Sequence, residues 1–490
     1  MLFEHLFAHA RSRPQEIAIT DESGQYTYQQ VAAMATGLGI YLAQQTQAPH
    51  VGLLLPAGVG FVAAFYGTLL AGKAVVPINF LLGDREVAHV IKNSEIDTVV
   101  TIPQLAGRLQ NTPLKVVDLT QLPKTPPALA PPPFPSPKAD DLAVLMYTSG
   151  TSALPKGVML TYGNLQSDVD AAIELAQLEK RHVFLGVIPL FHAFGMTAMM
   201  LAPIQLAAPC IYMARFSAVG AMENVRKHKV SILLGVPSMF AALLHLKSAS
   251  AEDFASIYVI ISGGEPLPSN VREAFPARYG VPVLEGYGLT ETSPVIALNV
   301  PQSSRAGSVG KLVPGATLKI TDEQGHIVPE GESGEVWLKG PMIMKGYYKL
   351  PDESATALTG DGYFKTGDLG RMDADGFLYI TGRKKDLIIC AGEKVTPREV
   401  EEVLMQHPAI AEAAVVGRKD DSRGEAVVAF VVTKPGQTAR PDEVRIFCRE
   451  HGLAHFKIPR DFVFVEDLPR SPTGKVLKRQ LAEKARALGT

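Results

Sequence analysis

The sequence predicts an α/β protein: a large N-terminal domain of several subdomains with mostly parallel sheets and a β-rich part, plus a small α+β C-terminal domain. Three observations lead there. Short apolar runs alternate with helical patterns from Val51 to Leu284, which is how a covered parallel sheet reads. From about Gly307 the strands shorten and turn residues crowd in, as in a β-rich unit. Past Gly382-Arg383-Lys384-Lys385-Asp386 the texture changes again, over about 100 residues, an ordinary domain size. The expected division is 1–384 and 385–490.

The elements follow in order. Tyr26-Thr27-Tyr28 precedes a helical run to about Gln45. Val51–Leu55 reads as a buried strand and Val59–Ala71 as a helix. Val51–Gly72 has no charged residue, yet Pro56 and its glycines argue against a membrane span. The similar Met199–Met213 region is broken by Pro203, Gln205 and Pro209. Ala74–Pro77 is a strand, Gly83–Lys92 a helix, Thr98–Ile102 a strand. Leu122–Pro137 is proline-rich, a stiff connector without helix or ladder bonds. Leu142–Met146 resumes the sheet and Gly163–Lys180 is helical. Val183–Pro189, Val230–Val236 and Ile257–Ile261 are strands, and Val283-Leu284 leads into a glycine-rich turn. Leu318–Thr321, Glu335–Lys339 and Phe377–Thr381 are the shorter strands. In the C-terminal unit Pro397–Met405 and Pro441–His451 are helices. Ala411–Val416, Ala426–Val432 and Asp461–Val465 are its strands.

A hydrophobic content of 47% and a charged content of 20% over 490 residues suit a globular enzyme. The net charge of -2 gives no polyanion-binding signal, so nucleic acid is not an expected partner. Cys210, Cys390 and Cys448 are far apart, with no C-x-x-C spacing. Neither a zinc site nor a disulfide framework follows, and a reducing cytoplasm fits. Met1–Pro14 contains charges and histidines and lacks an apolar signal core.

Tyr147–Gly157 reads Y-T-S-G-T-S-A-L-P-K-G and follows a strand. Glycines turn backbone N–H groups towards a ligand, hydroxyls add donors, and lysine adds charge, which suits a phosphate cradle. The order is not that of a Walker A loop. Ser262–Leu267 and Glu285–Thr292 are further turns just past strand ends, where open parallel sheets bind ligands. Glu291, beside Thr290, is an acid that needs a cation between it and phosphates, and Mg²⁺ fills that role. Asp368, in a loop ending in glycine, can accept from ribose hydroxyls. Tyr287, between two glycines, can lay its ring on a purine. Each residue alone fits a plainer role equally: a solvated acid, a turn former, a core aromatic. Lys475, after Gly474, reads by itself as a solvated charge.

Six motifs in order resemble one family. T-S-G-T-x-x-x-P-K-G, P-L-F-H-x-F-G, G-Y-G-L-T-E-T, T-G-D-L-G, G-R-K-K-D and P-x-x-P-T-G-K look like those of the adenylate-forming superfamily of acyl-CoA synthetases, adenylation domains and luciferases. The likeness runs from about Tyr26 to Lys478. It implies that a carboxylate attacks the α-phosphate of ATP, giving acyl-adenylate and pyrophosphate, and that a thiol then displaces AMP. It implies that Thr148, Ser149, Gly150, Thr151, Ser152 and Lys156 hold the outer phosphates. Tyr287 would stack on adenine, flanked by Gly264, Glu265 and Pro266. Thr290 would meet the phosphate and Glu291 the Mg²⁺. Asp368 and Arg383 would meet the ribose. Lys475 would bridge substrate carboxylate and α-phosphate. The resemblance also makes the C-terminal domain mobile about a hinge at Lys385, with Gly392 close to the pantetheine arm. His192 completes the catalytic candidates. Two departures stand out: Ala153 where the family loop has glycine, and Ala391-Gly392 where it has a glycine pair.

Amino-acid-activating relatives carry an aspartate where this chain has His192, so an α-amino acid is disfavoured. Phe191–Met200, Gly235–Phe240 and Ser293–Ala297 are apolar and methionine-rich, and methionine adapts to flexible chains. An aliphatic carboxylic acid of medium or long chain is the expected substrate, with an aryl acid as the alternative. CoA is the expected acceptor, with acyl carrier protein as the alternative. A luciferase-like oxygenase and a lipid- or nucleotide-binding protein are the contrasting readings. No transmembrane span is expected, and peripheral membrane contact stays open.

Overall fold

The computed structural model describes residues 2, 4–110, 112–121, 136–148, 154–390, 392–420, 424–470 and 476–487. Two large sheets dominate. The nine-stranded sheet runs, edge to edge, Lys311–Leu312, Val295–Leu298, Val283–Gly288, Val259–Ser262, Ile232–Gly235, Phe184–Gly186, Cys210–Tyr212, Ile17–Asp21, Gly24–Thr27. Its central strands are parallel and its edges antiparallel. The seven-stranded sheet runs Gly346–Tyr347, Lys156–Thr161, Leu142–Thr148, Ala74–Pro77, His50–Leu54, Thr98–Thr101, Lys115–Asp118. Every residue of His50–Leu54, Ala74–Pro77 and Thr98–Thr101 is buried, because helices cover both faces of a parallel sheet. Both sheets share one hydrophobic core.

The helix Tyr28–Gln45 begins where the sequence supplies a capping box. Gln30 N–H donates to Thr27 Oγ1 at 3.3 Å, and Thr27 N–H donates to Gln30 Oε1 at 2.8 Å. The short hairpin of Ile17–Asp21 and Gly24–Thr27 was not expected. Its second strand is polar and half exposed, so no apolar run announces it.

Pro203 does not break the chain as expected. Helix continues from Ala193 to Leu206, through a π-helical turn at Thr197–Leu201. Ala202 N–H reaches back to Thr197 O, a five-residue bond. Proline has no N–H for the carbonyl of Met199, four residues earlier. The Tyr212 hydroxyl donates to that carbonyl instead, at 2.7 Å.

Thr317–Thr321, Gly334–Lys339, Phe364–Met372 and Leu378–Arg383 form an antiparallel four-stranded sheet, the β-rich unit. Beyond it lie Ile388–Cys390, Glu393–Val395, Ile410–Asp420, Gly424–Thr433 and Asp461–Phe464, a five-stranded sheet. Its alternation feeds two clusters. Val427, Ala429 and Val431 pack with Val400, Leu404 and Val444; Val428 and Phe430 pack with Leu468 and Leu481 on the other face. Among the described residues, no helix is long and apolar enough to cross a membrane. Residues 122–135 of the expected connector lie outside the described residues.

Candidate active site

The strand Val283–Gly288 ends in the glycine-rich turn that supplies most of the site. Leu289 N–H bonds to Pro294 O at 3.1 Å, folding the chain back on itself. A Cβ at Gly288 would lie 1.8 Å from Pro294 O, so no other residue fits there. The 3-10 turn Thr290–Thr292 follows, with Leu289 N–H donating to Thr292 Oγ1 at 2.9 Å. This rigid reversal fixes where Tyr287, Thr290 and Glu291 sit.

Tyr287 donates its hydroxyl to Asp368 Oδ2 at 2.6 Å, and Arg383 Nε lies 2.9 Å from Asp368 Oδ1. Asp368 and Arg383 face one another on adjacent antiparallel strands. Thr366 Oγ1 accepts from the Asp368 N–H at 3.0 Å. The acid is buried, and its two oxygens each hold one protein donor. Burial and then the Asp368 charge push the Tyr287 phenol well above its usual range, so it stays a donor.

Glu291 is partly buried. Burial raises its carboxyl above the usual range, and the Tyr347 hydroxyl and Arg383 oppose that rise. Tyr347 donates to Glu291 Oε1 at 2.9 Å, while the Lys156 ammonium sits 5.3 Å above the Tyr347 ring. Tyr287, four residues before Glu291, is bonded to Asp368, which brings the ribose and metal candidates together. A hard carboxylate disfavoured as an anion fits a divalent cation that would neutralise it. Among the described residues no group of three or more acid, His or Cys side chains could hold a metal. Mg²⁺ takes one or two carboxylates together with substrate phosphates, and Glu291 is a carboxylate of that kind.

The cradle is described only at its ends. Thr148 and Lys156 pair across the hairpin of Leu142–Thr148 and Lys156–Thr161. Tyr147 donates to Asn93 Oδ1 at 2.6 Å, and His89 Nε2 lies 3.0 Å from Pro155 O, which anchors both flanks. Ser149, Gly150, Thr151, Ser152 and Ala153 lie outside the described residues, as do Ala391 and Lys475.

Gly264, Glu265 and Pro266 form the turn after Val259–Ser262. Leu267 N–H donates to Glu285 Oε2 at 3.1 Å, and Arg272 Nη2 lies 3.3 Å from Glu285 Oε1. Glu285 therefore bolts this turn to the next strand; it opens the E-G-Y-G run but was not singled out from sequence. The Phe194 ring closes on Gly263, where a Cβ would lie 3.0 Å from Cε1. That contact joins the P-L-F-H-A-F-G segment to the same turn. His192 precedes the helix Ala193–Met196 and tilts against the Phe191 ring, centroids 4.8 Å apart. Burial lowers its pKa to about 4, and its Nε2 has no partner among the described residues.

Two of the expected acyl segments, Phe191–Met200 and Ser293–Ala297, meet. Phe191, Met196, Met199, Met200 and Phe240 are buried, and Phe80 stands edge-on to Phe191 at 4.9 Å. Thr197 donates to Ser293 O at 2.9 Å, tying two segments together. Sequence reasoning missed Asp168, fully buried on the helix Tyr162–Ala176, with neither carboxyl oxygen partnered among the described side chains. Burial holds it well above the usual range, against only the Val295 main chain. Nothing in its local sequence, Gln166-Ser167-Asp168-Val169, signals burial.

Lys385 lies exposed in the 3-10 turn Lys384–Asp386, and Lys384 Nζ holds Glu335 Oε2 at 2.9 Å. Gly392 turns the chain between Ile388–Cys390 and Glu393–Val395 with φ +86°. Beside it Lys394 pairs with Glu323 of the β-rich unit.

The model of the AMP-binding enzyme family matches residues 6–348, and that of the AMP-binding enzyme C-terminal domain matches residues 399–475. The long-chain-fatty-acid–CoA ligase of Bacillus subtilis (strain 168) is 34% identical, covering 96% of this chain and 92% of its own. The sulfoacetate–CoA ligase of Cupriavidus necator is 35% identical, covering 89% of this chain and 87% of its own. The ATP-bound MatB structure from Rhodopseudomonas palustris matches with a TM-score of 0.93 and 30% identity, over 100% of this chain and 99% of that one.

Proposed function

The chain belongs to the AMP-binding enzyme family, as an AMP-forming acid–CoA ligase using ATP, Mg²⁺ and CoA, and from that premise we propose that its acid is aliphatic, of medium or long chain. One observation supports the choice above others: Phe191, Met196, Met199 and Met200 are buried apolar side chains on the segment whose Phe194 closes on Gly263 and whose Thr197 is bonded to Ser293 O. Apolar side chains in such a place gain by covering methylenes. The relatives differ in substrate, a long-chain fatty acid in one and sulfoacetate in another, so family membership alone does not choose.

In this reading the acid's oxygen bonds to the α-phosphorus while the bond to the departing pyrophosphate breaks. Lys475 neutralises the carboxylate and the α-phosphate as they approach. Thr148, Ser149, Gly150, Thr151, Ser152 and Lys156 receive the outgoing pyrophosphate. Tyr287 and the Gly264-Glu265-Pro266 turn hold adenine; Asp368 and Arg383 orient the ribose. Glu291 and the phosphates would hold Mg²⁺, which supplies charge neutralisation in a site with little water. His192, neutral at working pH, lines the site without adding charge. The CoA sulfur then attacks the acyl carbonyl and AMP leaves. We divide the chain at 384/385, with Lys385 as the pivot and Gly392 beside the pantetheine arm.

The test is pyrophosphate release with octanoate, palmitate, benzoate, sulfoacetate and an α-amino acid, each with CoA or holo acyl carrier protein. Release with the fatty acids and CoA is expected. Release driven only by benzoate, sulfoacetate or the amino acid would overturn the substrate. Thioester on the carrier protein but not on CoA would overturn the acceptor.

A further inference from the structure

Tyr347 lies outside every motif that pointed to the site, yet it touches two of its charged groups. It belongs to the two-residue strand Gly346–Tyr347, which pairs antiparallel with Lys156–Thr161, Tyr347 opposite Val158. The main chain around it is bonded in three places. Met344 N–H donates to Glu291 O at 2.8 Å, Lys345 N–H to Met159 O at 3.0 Å, and Tyr348 N–H to Gly157 O at 2.7 Å. Tyr347 N–H donates to Ser354 Oγ at 2.8 Å. The segment is thus stitched to the Glu291 turn on one side and to the Lys156 strand on the other.

We propose that Tyr347 is a positioning residue for ATP activation: its hydroxyl sets the Glu291 carboxylate, and its ring seats the Lys156 ammonium. The proposal rests on reading Glu291 as the Mg²⁺ ligand and Lys156 as a phosphate ligand. An ionised carboxylate only accepts, so the phenol is the donor to Oε1. Holding one oxygen fixes the carboxylate plane and favours one-oxygen donation. Mg²⁺ demands near-ideal octahedral geometry and is poorly served by a swivelling carboxylate. The ring face attracts the Lys156 ammonium electrostatically without consuming its three N–H donors, which stay available to phosphate. A single rigid aromatic thus sets the spacing between acid and cation, two groups that would otherwise pair directly or drift apart.

The test uses the whole chain and calorimetric ATP binding without acid substrate, over a Mg²⁺ series and in EDTA. Tyr347→Phe removes the hydroxyl and keeps the ring. It should raise the Mg²⁺ concentration for half-maximal ATP binding about tenfold and leave metal-free ATP binding within about twofold. Tyr347→Leu removes the ring as well and should also weaken metal-free ATP binding. In turnover, Tyr347→Phe should raise the KM for MgATP more than it lowers kcat at saturating Mg²⁺. Glu291→Gln is the reference. If it leaves the Mg²⁺ dependence unchanged, the metal reading of Glu291 fails. If Glu291→Gln shifts that dependence while Tyr347→Phe does not, the Tyr347 proposal alone is overturned. An equal loss of ATP binding with and without Mg²⁺ in Tyr347→Phe would also overturn it, since that is the mark of a merely structural role.

Discussion

Asp368 offers the sharpest arithmetic in the site. Each carboxylate oxygen accepts about two donors. Oδ2 holds the Tyr287 hydroxyl at 2.6 Å and Oδ1 the Arg383 Nε at 2.9 Å. If Asp368 meets the ribose, each oxygen has one acceptor position left for a hydroxyl of the sugar. A hydrogen bond to a charged group is worth about 1.5–3 kcal/mol, or roughly 10- to 150-fold in affinity. The wild-type chain should bind 3′-deoxy-ATP about 10- to 100-fold more weakly than ATP. In Asp368→Ala that ratio should fall to within about threefold, because the discriminating acceptor is gone. Asp368→Asn keeps the shape but turns an N–H₂ towards a donor, so it should give an intermediate ratio. Loss of Asp368 also strands the Tyr287 hydroxyl, while Arg383, with 37% of its side chain exposed, turns to water. A modest drop in melting temperature is therefore expected alongside. The measurement is calorimetric Kd for both nucleotides on all three proteins. Full discrimination surviving in Asp368→Ala would refute the ribose role and leave Asp368 as a strand-to-strand ion pair only.

Two further outcomes follow from the same site. Lys475→Ala should abolish acid-dependent pyrophosphate release while a supplied acyl-adenylate still reacts with CoA; equal loss of both half-reactions would contradict a role for Lys475 in the first step alone. His192 is held neutral, its pKa lowered from 6.5 to about 4. A depressed folded pKa means the unfolded chain binds the proton first as pH falls from 6.5. Stability from the neutral imidazole is full above pH 6.5, falls by about 2 kcal/mol at pH 5, and stops changing below about pH 4. Melting curves at pH 7.5 and pH 5 should converge between wild type and His192→Asn as the pH drops; a parallel offset at both would contradict the assignment.

Much of the fold was readable because buried parallel strands announce themselves. Ala74–Pro77 is apolar throughout and lies where the sequence put it. The polar edge strand Gly24–Thr27 carries no such mark. Lys156–Thr161 was hidden because the sequence runs from a glycine-rich loop to a helix with no strand pattern between, and only its pairing with Leu142–Thr148 makes it a strand. Pro203 misled for a local reason: its missing bond is replaced by Tyr212, which no neighbouring residue foretells. The site divides in the same way. Glycine-framed acids such as Glu291 and Asp368 were legible as motifs. Tyr347, 56 positions from Glu291, and Glu285 with Arg272 were not, because their meaning lies in contacts through space.

Arg383 is the last residue of its strand, and its guanidinium is clamped to Asp368 on the neighbouring one. Lys385, the proposed pivot, follows two residues later, a reach of about 7 Å at most. A nucleotide that engages Asp368 and Arg383 would therefore stiffen the fixed end of a lever just before its bearing. Torsion would be confined to the few backbone bonds after Arg383, and the small domain would swing on a short axle instead of trailing on a loose tether. Occupancy of the ribose subsite would then be felt as alignment by the small C-terminal domain.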